Sequence, residues 1–137
     1  MLIVDTSVIV ASINRRERHH AACRALIERL DEPVVVPAST LCEVDHLVHR
    51  QLGAAAMPEF LRRAGRGELV VEDLRAEDYP RTIEVMERYA DLDVGFVDAA
   101  VLAIVERLNE PKLATLDRKH FSVMQPRHVD ALELLPA

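Results

Sequence analysis

No tryptophan occurs among the 137 residues, and three phenylalanines and two tyrosines are the only aromatic side chains. Large rings therefore cannot fill the interior. Half of the residues are apolar, so the core must be built from Val, Leu, Ile and Ala. Cysteine is as scarce. Cys23 and Cys42 lie far apart, match no metal-ligand spacing and cannot make a disulfide framework, which fits a reduced, cytoplasmic chain. No apolar run reaches the roughly 18 residues of a membrane span, and no leader-like segment precedes Asp5. Positive charge is in deficit too: 17 Lys and Arg face 23 Asp and Glu, for a net charge of −6. That balance excludes nonspecific nucleic-acid binding through bulk charge. It leaves room for nucleic acid as a substrate, provided that cations neutralise acids gathered in one place. Glycine-rich phosphate loops are missing, in both the G-x-x-x-x-G-K and the G-x-G-x-x-G forms, and no repeat, low-complexity tract or linker divides the chain. A single domain over residues 1–137 is expected.

What is present is an alternation of short branched apolar runs with helical patterns. Leu2-Ile3-Val4 reads as a buried strand, with a helix opening at Thr6-Ser7. His20 to Leu30 carries Ala21, Ala22, Ala25, Leu26 and Leu30 at helical spacing before Asp31-Glu32-Pro33 stops it. Val34-Val35-Val36 is a second strand, closed by Pro37. Ser39 or Thr40 is placed to cap the next helix, whose apolar side is Leu41, Val44, Leu47 and Val48. A helix from about Ala54 to Ala64 ends at Gly65-Arg66-Gly67. Leu69-Val70-Val71 is a third strand. Glu77 to Tyr89 is helical, with Pro80 in its first turn and Ile83, Val85, Met86 and Tyr89 available for packing. The clearest helix runs from Val97 to Leu108. Leu113 to Leu116 and Leu132 to Leu135 complete the strands. Strands alternating with helices predict an α/β fold with a mainly parallel sheet.

Four acids stand at element junctions. Asp5 ends the first strand, Glu43 lies one turn into the helix after the second, Asp98 opens the Val97–Leu108 helix, and Asp117 follows the fourth strand. In a parallel sheet these positions share one edge, where open α/β sheets place their ligands. Taken singly, each acid has a plainer explanation. Asp5 and Asp98 can cap helices or face a helix dipole, Glu43 can be a solvated helix position, and Asp117 can be a turn acid beside Arg118 and Lys119. Together they would repel one another and take up protons unless a cation intervened. Mg²⁺ or Mn²⁺, hard ions that take oxygen ligands, would remove the conflict and support hydrolysis of a phosphate ester.

In these blocks the chain resembles the PIN-domain family, and within it the VapC toxins of bacterial toxin–antitoxin pairs. The similarity runs through Leu2-Ile3-Val4-Asp5-Thr6-Ser7, Val36 to Val44, Gly95 to Ala100, and Ala114 to Phe121, in order and over nearly the whole length. The resemblance implies a five-stranded parallel sheet ordered 3-2-1-4-5 and flanked by helices. It also implies Mg²⁺- or Mn²⁺-dependent endoribonuclease activity on structured RNA, chiefly tRNA or ribosomal RNA. Asp5, Glu43, Asp98 and Asp117 would form the catalytic and metal-binding set, with Thr6 or Ser7 as the supporting hydroxyl. A homodimer and a cognate VapB antitoxin are the implied partners. Asp91 and Asp93 are further candidates to supplement the metal site; Asp98 is aligned because the Asp-Ala-Ala helix start follows it.

For RNA contacts the candidates are Arg15 and Arg16, in the Arg15-Arg16-Glu17-Arg18-His19-His20 run, and Arg118 and Lys119, in the Arg118-Lys119-His120 run whose side chains could contact phosphates after the last acid. A solvated charged loop is the alternative for the first run. Glu43, His46 and His49 are spaced by three, as in some helical metal sites, but the partner motifs are missing. Leu52, Ala54, Ala55, Ala56, Met57 and Phe60 offer a small apolar surface for a second copy or an antitoxin helix, which core packing explains equally well. Two other functions remain open at this point: a PIN nuclease acting on DNA or in RNA processing, and a module that holds Mg²⁺ without cleaving.

Overall fold

A computed structural model describes residues 1–29 and 31–137. Strands and helices alternate as β1 (Leu2–Ile3), α1 (Thr6–Ile13), α2 (His20–Arg29), β2 (Val34–Pro37), α3 (Leu41–Leu52) and α4 (Ala56–Gly65). They continue as β3 (Val70–Glu72), α5 (Asp78–Arg88), α6 (Phe96–Arg107), β4 (Lys112–Ala114), α7 (Arg118–Phe121) and β5 (Glu133–Leu135). Short 3₁₀ turns at Ala38–Thr40 and Ala90–Leu92 lead into α3 and follow α5.

The ladders among the described residues are parallel. β2 lies between β1 and β3, with Leu2 opposite Val34 and Val36 opposite Val71. β4 pairs with β5, Leu113 opposite Leu134. The two sheets meet at one parallel bridge, Val4 to Ala114, which continues as the Asp5 N–H donates to the Ala114 carbonyl at 2.9 Å. In place of the single five-stranded sheet that the resemblance implies, the described strands form two sheets, of three and two strands, joined at this bridge. The reason is local. β1 stops so that Asp5 can cap α1, which leaves a single residue of pairing for β4.

Strand alternation sorts the side chains between two cores. Leu2, Val4, Val34, Val36 and Ala114 join the core formed with α1 to α4, whereas Ile3, Val35 and Leu113 join the one formed with α5 and α6. Covering both faces is what lets these strands be apolar at successive positions instead of alternating with polar residues. α6 is buried almost all round, from Ala99 to Val105. Its small and branched side chains let it lie close to both the sheet and α5.

Several local expectations change. On α2 the inward side chains are Cys23, Leu26 and Ile27, while Ala21 and Ala22 face solvent; the larger side chains remove more apolar area from water and set the helix rotation. Leu30 lies outside the described residues. No side-chain cap precedes α3: the Thr40 hydroxyl turns back to the Pro37 carbonyl at 2.8 Å, because the chain enters α3 through a 3₁₀ turn. On α5, Val85 is buried but Ile83 is exposed, and Thr82 takes the inward position. Met57 and Phe60 of the small apolar surface pack inward, leaving Leu52, Ala54 and Ala55 exposed.

α6 is also held by ion pairs. The Arg107 Nε–H is shared between both oxygens of the buried Asp78 carboxylate at 3.0 Å, and Nη1 donates to Glu72 at 2.8 Å, joining α6 to α5 and β3. Arg81 forms a two-pronged pair with Glu106 at 2.8 and 3.0 Å. Removing one partner of a buried pair leaves the other charge uncompensated. Arg107→Met is therefore expected to lower unfolding free energy by about 3–5 kcal/mol in urea titrations. A loss under roughly 1 kcal/mol, the range of an exposed pair, would show that this clamp contributes little.

Candidate active site and metal centre

Asp5, Thr115 and Asp117 stand where β1 and β4 end, and α6 brings Asp98 alongside. Asp5 is 3% exposed. One carboxylate oxygen caps α1 by accepting from the Thr6 N–H at 2.8 Å, and the other accepts from the Thr115 hydroxyl at 2.8 Å. Thr115 Oγ1 in turn accepts from the Asp117 N–H at 3.0 Å and lies 3.5 Å from Ser7 Oγ, which accepts from the Leu116 N–H at 2.9 Å. Two hydroxyls, Ser7 and Thr115, thus lock the end of β4 against the start of α1. Ser7, one of the two hydroxyls expected beside the first acid, meets Thr115 and the Leu116 N–H, and the hydroxyl that reaches Asp5 is that of Thr115. Thr6 contributes its backbone N–H, while its buried hydroxyl has no partner among the described residues.

Asp117 caps α7, accepting from the His120 N–H at 3.1 Å. His120 follows it one helical turn later and folds back into the site. Its Nδ1 lies 2.9 Å from Asp117 Oδ2 and 3.0 Å from Asp98 Oδ2, while Nε2 lies 3.1 Å from the Leu92 carbonyl. Ligand atoms of Asp98, Asp117 and His120 all lie within 4.8 Å of one another. Glu43 sits exposed in the first turn of α3 and reaches the cluster through its charge, which acts on both Asp5 and Asp98.

Burial pushes the Asp5 carboxyl up to about 7, helped by the Asp98 and Glu43 charges and opposed by the Thr115 and Thr6 hydrogen bonds. Asp98 is raised as well, first by burial and then by the Asp117 and Glu43 charges, against the pull of His120. Partial burial disfavours the His120 cation, but Asp117 and Asp98 outweigh it and hold the imidazole above its ordinary value. The cluster carries more negative potential than its own hydrogen bonds relieve. A hard divalent cation suits this oxygen-rich donor set and would remove the repulsion.

Other candidates fall elsewhere. Asp91 and Asp93 are exposed on the turn before α6, where Asp93 serves the backbone by adopting a left-handed conformation (φ 56°). Glu43, His46 and His49 are all exposed and outside the group of converging ligands. Arg15 and Arg16 follow the carboxyl end of α1, about 12 Å of helix away from Asp5 at its other end. Arg118 is turned towards β5, donating to the Leu134 carbonyl at 3.4 Å and to that of Pro136. Lys119 is exposed. Sequence reasoning missed Thr115 as the partner of Asp5 and took His120 only for a phosphate contact. The available signal was their spacing from Asp117, at two residues before and three after.

A PIN domain model matches residues 2–125. Ribonuclease VapC26 of Mycobacterium tuberculosis is 30% identical over 125 residues, covering 91% of this chain and 93% of that protein. The crystal structure of VapC20 from the same organism, a sarcin-ricin loop cleaving toxin, aligns with a TM-score of 0.82 at 22% identity, over 95% of this chain and 99% of that one. VapBC2 of Rickettsia felis, bound to a DNA fragment from its promoter, aligns at 0.66 and 15% identity, over 97% and 96%. The chain belongs to the PIN-domain family, and within it to the VapC-type toxin ribonucleases of VapBC toxin–antitoxin systems. Among the described residues, no helix is long and apolar enough to cross a membrane.

The raised carboxyl of Asp5 has a consequence for stability without metal. Its value in the folded chain, about 7, lies above its ordinary 3.8. Between those pH values the folded chain keeps a proton that the unfolded chain has lost, so stability falls as pH rises. Urea unfolding in EDTA should show wild type losing ground to Asp5→Asn by on the order of 4 kcal/mol between pH 4 and pH 7.5. A difference independent of pH would show that Asp5 ionises freely.

Proposed function

We propose that this chain is an endoribonuclease, the toxin of a type II toxin–antitoxin pair, that hydrolyses phosphodiester bonds in structured RNA with Mg²⁺ or Mn²⁺ held by Asp5, Glu43, Asp98 and Asp117. The observation that carries this reading is the approach of Asp98 and Asp117 at the start of α6 and the end of β4, with the Asp98 charge acting on the buried Asp5 at the end of β1, in a chain of this family.

When bound, the cation supplies Lewis acidity towards a phosphoryl oxygen and lowers the pKa of a bound water. The protein's part is to place donors. Asp5 is fixed by Thr115 and the Thr6 N–H, so its orientation is set before substrate arrives. Asp98 and Asp117 approach from two different elements, each placing Oδ2 against His120 Nδ1. Glu43, exposed at the rim, can orient a water or complete the donor set. Charge balance follows: several carboxylates repel a bare polyanion, and the cation converts the same cleft into one that accepts phosphate.

For the RNA strand, Lys119 follows Asp117 by two residues with an exposed side chain, and we assign it a phosphate contact. Arg118 is a weaker candidate because β5 already holds its guanidinium. Arg15 and Arg16 would meet RNA only where it extends along α1. Arg15 also lines a groove of about 260 Å³ between α1, α2 and α4, together with Ile13, Phe60, Arg24, Arg63 and Glu59. Apolar side chains beside three arginines and a single glutamate suit an amphipathic acidic helix, as a VapB-type antitoxin would supply. A homodimer is part of the same proposal.

Asp98→Asn is expected to reduce RNA cleavage by on the order of 10²–10³ or more while leaving the far-UV circular dichroism unchanged. EDTA should abolish cleavage by the parent protein, and Mn²⁺ or Mg²⁺ should restore it. Cleavage by Asp98→Asn at the parental rate, or activity retained after exhaustive chelation, would refute the assignment. Single-stranded DNA cut as readily as RNA would move the substrate class.

A further inference from the structure

We propose that His120 is itself a ligand of the cation, through Nδ1, and that this nitrogen makes the site prefer Mn²⁺ to Mg²⁺. The inference rests on the reading of the cleft as a divalent-cation site and adds to it a ligand of a different chemical kind.

Three observations place the imidazole in this role. Nδ1 stands between the two carboxylates, 2.9 Å from Asp117 Oδ2 and 3.0 Å from Asp98 Oδ2, so a cation shared by those oxygens lies within its reach. Nε2 is 3.1 Å from the Leu92 carbonyl, an acceptor that requires the ring hydrogen to be on Nε2. Once Nδ1 gives up its own hydrogen, that bond leaves the tautomer whose Nδ1 lone pair faces the two carboxylates, the arrangement by which ligating histidines are commonly oriented. Finally, the backbone holds the ring in place: the His120 N–H donates to Asp117 Oδ1 at 3.1 Å, and Asp117 caps the short helix that carries His120. Leu92 belongs to the turn before α6, the helix that carries Asp98.

Before an ion enters, a hydrogen on Nδ1 can be shared between the two carboxylate oxygens; it leaves to solvent as the lone pair becomes available. Imidazole nitrogen adds to the binding of Mn²⁺ and of later first-row ions, whereas Mg²⁺ favours oxygen and retains its waters. An all-carboxylate site would discriminate less. His19, His20, His46, His49 and His128 are the remaining histidines of the chain, and none joins the converging ligand group.

The test uses full-length protein loaded with Mn²⁺ and read by pulsed electron paramagnetic resonance. The parent should show the coupling of a directly bound nitrogen, altered by ¹⁵N-histidine labelling and absent in His120→Gln. Competition titrations should show the Mn²⁺-over-Mg²⁺ preference falling roughly 10–100-fold in that variant. Stoichiometric Mn²⁺ without nitrogen coupling in the parent would overturn this inference while leaving the carboxylate site intact. Failure of the parent to bind Mn²⁺ would overturn both. The labelled parent answers the question of a histidine ligand even if His120→Gln does not fold, and His120→Asn then provides the assignment to this residue.

Discussion

The hydrogen bond from the Thr115 hydroxyl to the Asp5 carboxylate, 2.8 Å long, is where the fold and the site become one object. It joins the residues just beyond β1 and β4, which otherwise share a single bridge. Thr115 is fully buried, and its one hydroxyl serves Asp5, the Asp117 N–H and Ser7 together. A buried carboxylate needs such partners because an unsatisfied polar group in the interior costs more than the bond itself returns. The orientation of Asp5 and the path of the chain into Asp117 are set by the same oxygen.

The second constraint is the placement of α6. A helix buried from Ala99 to Val105 has little freedom to rotate or slide, and Asp98 immediately precedes that stretch. Arg107 at the far end ties the helix to Asp78 and Glu72, so both ends are fixed, one by packing and one by charge. The repulsion among the acids is therefore not relieved by movement of α6. Burial first, and the neighbouring charges after it, raise the proton affinity of Asp5 and Asp98.

Much of this was readable in the sequence because the strands are short, branched and bounded by clear stops. Asp5, Asp98 and Asp117 could be assigned to one sheet edge from the alternation of strands and helices alone. Side-chain partners were less accessible. Thr115 looked like any β-branched strand residue, since its partner is 110 positions away. His120 sat in a basic run whose direction depends on a four-residue helix that apolar periodicity cannot detect. The rotation of α2 was misjudged because alanines fit an apolar stripe as well as larger residues do, yet bury little area. The cap of α3 was misjudged because Ser39 and Thr40 fall within a 3₁₀ turn, where the helical numbering shifts.

Asp5 and Asp117 each begin a helix with a side-chain cap and also face the acidic cleft. The two duties tolerate different replacements. Serine, threonine and asparagine serve as caps but are poor substitutes for an anionic oxygen, whereas glutamate keeps the charge on a side chain too long for the capping geometry. Aspartate alone satisfies both demands. Glu43 has no capping duty and is free of that restriction, so divergence among functional descendants of this sequence should be permitted at position 43 well before it is permitted at 5 or 117.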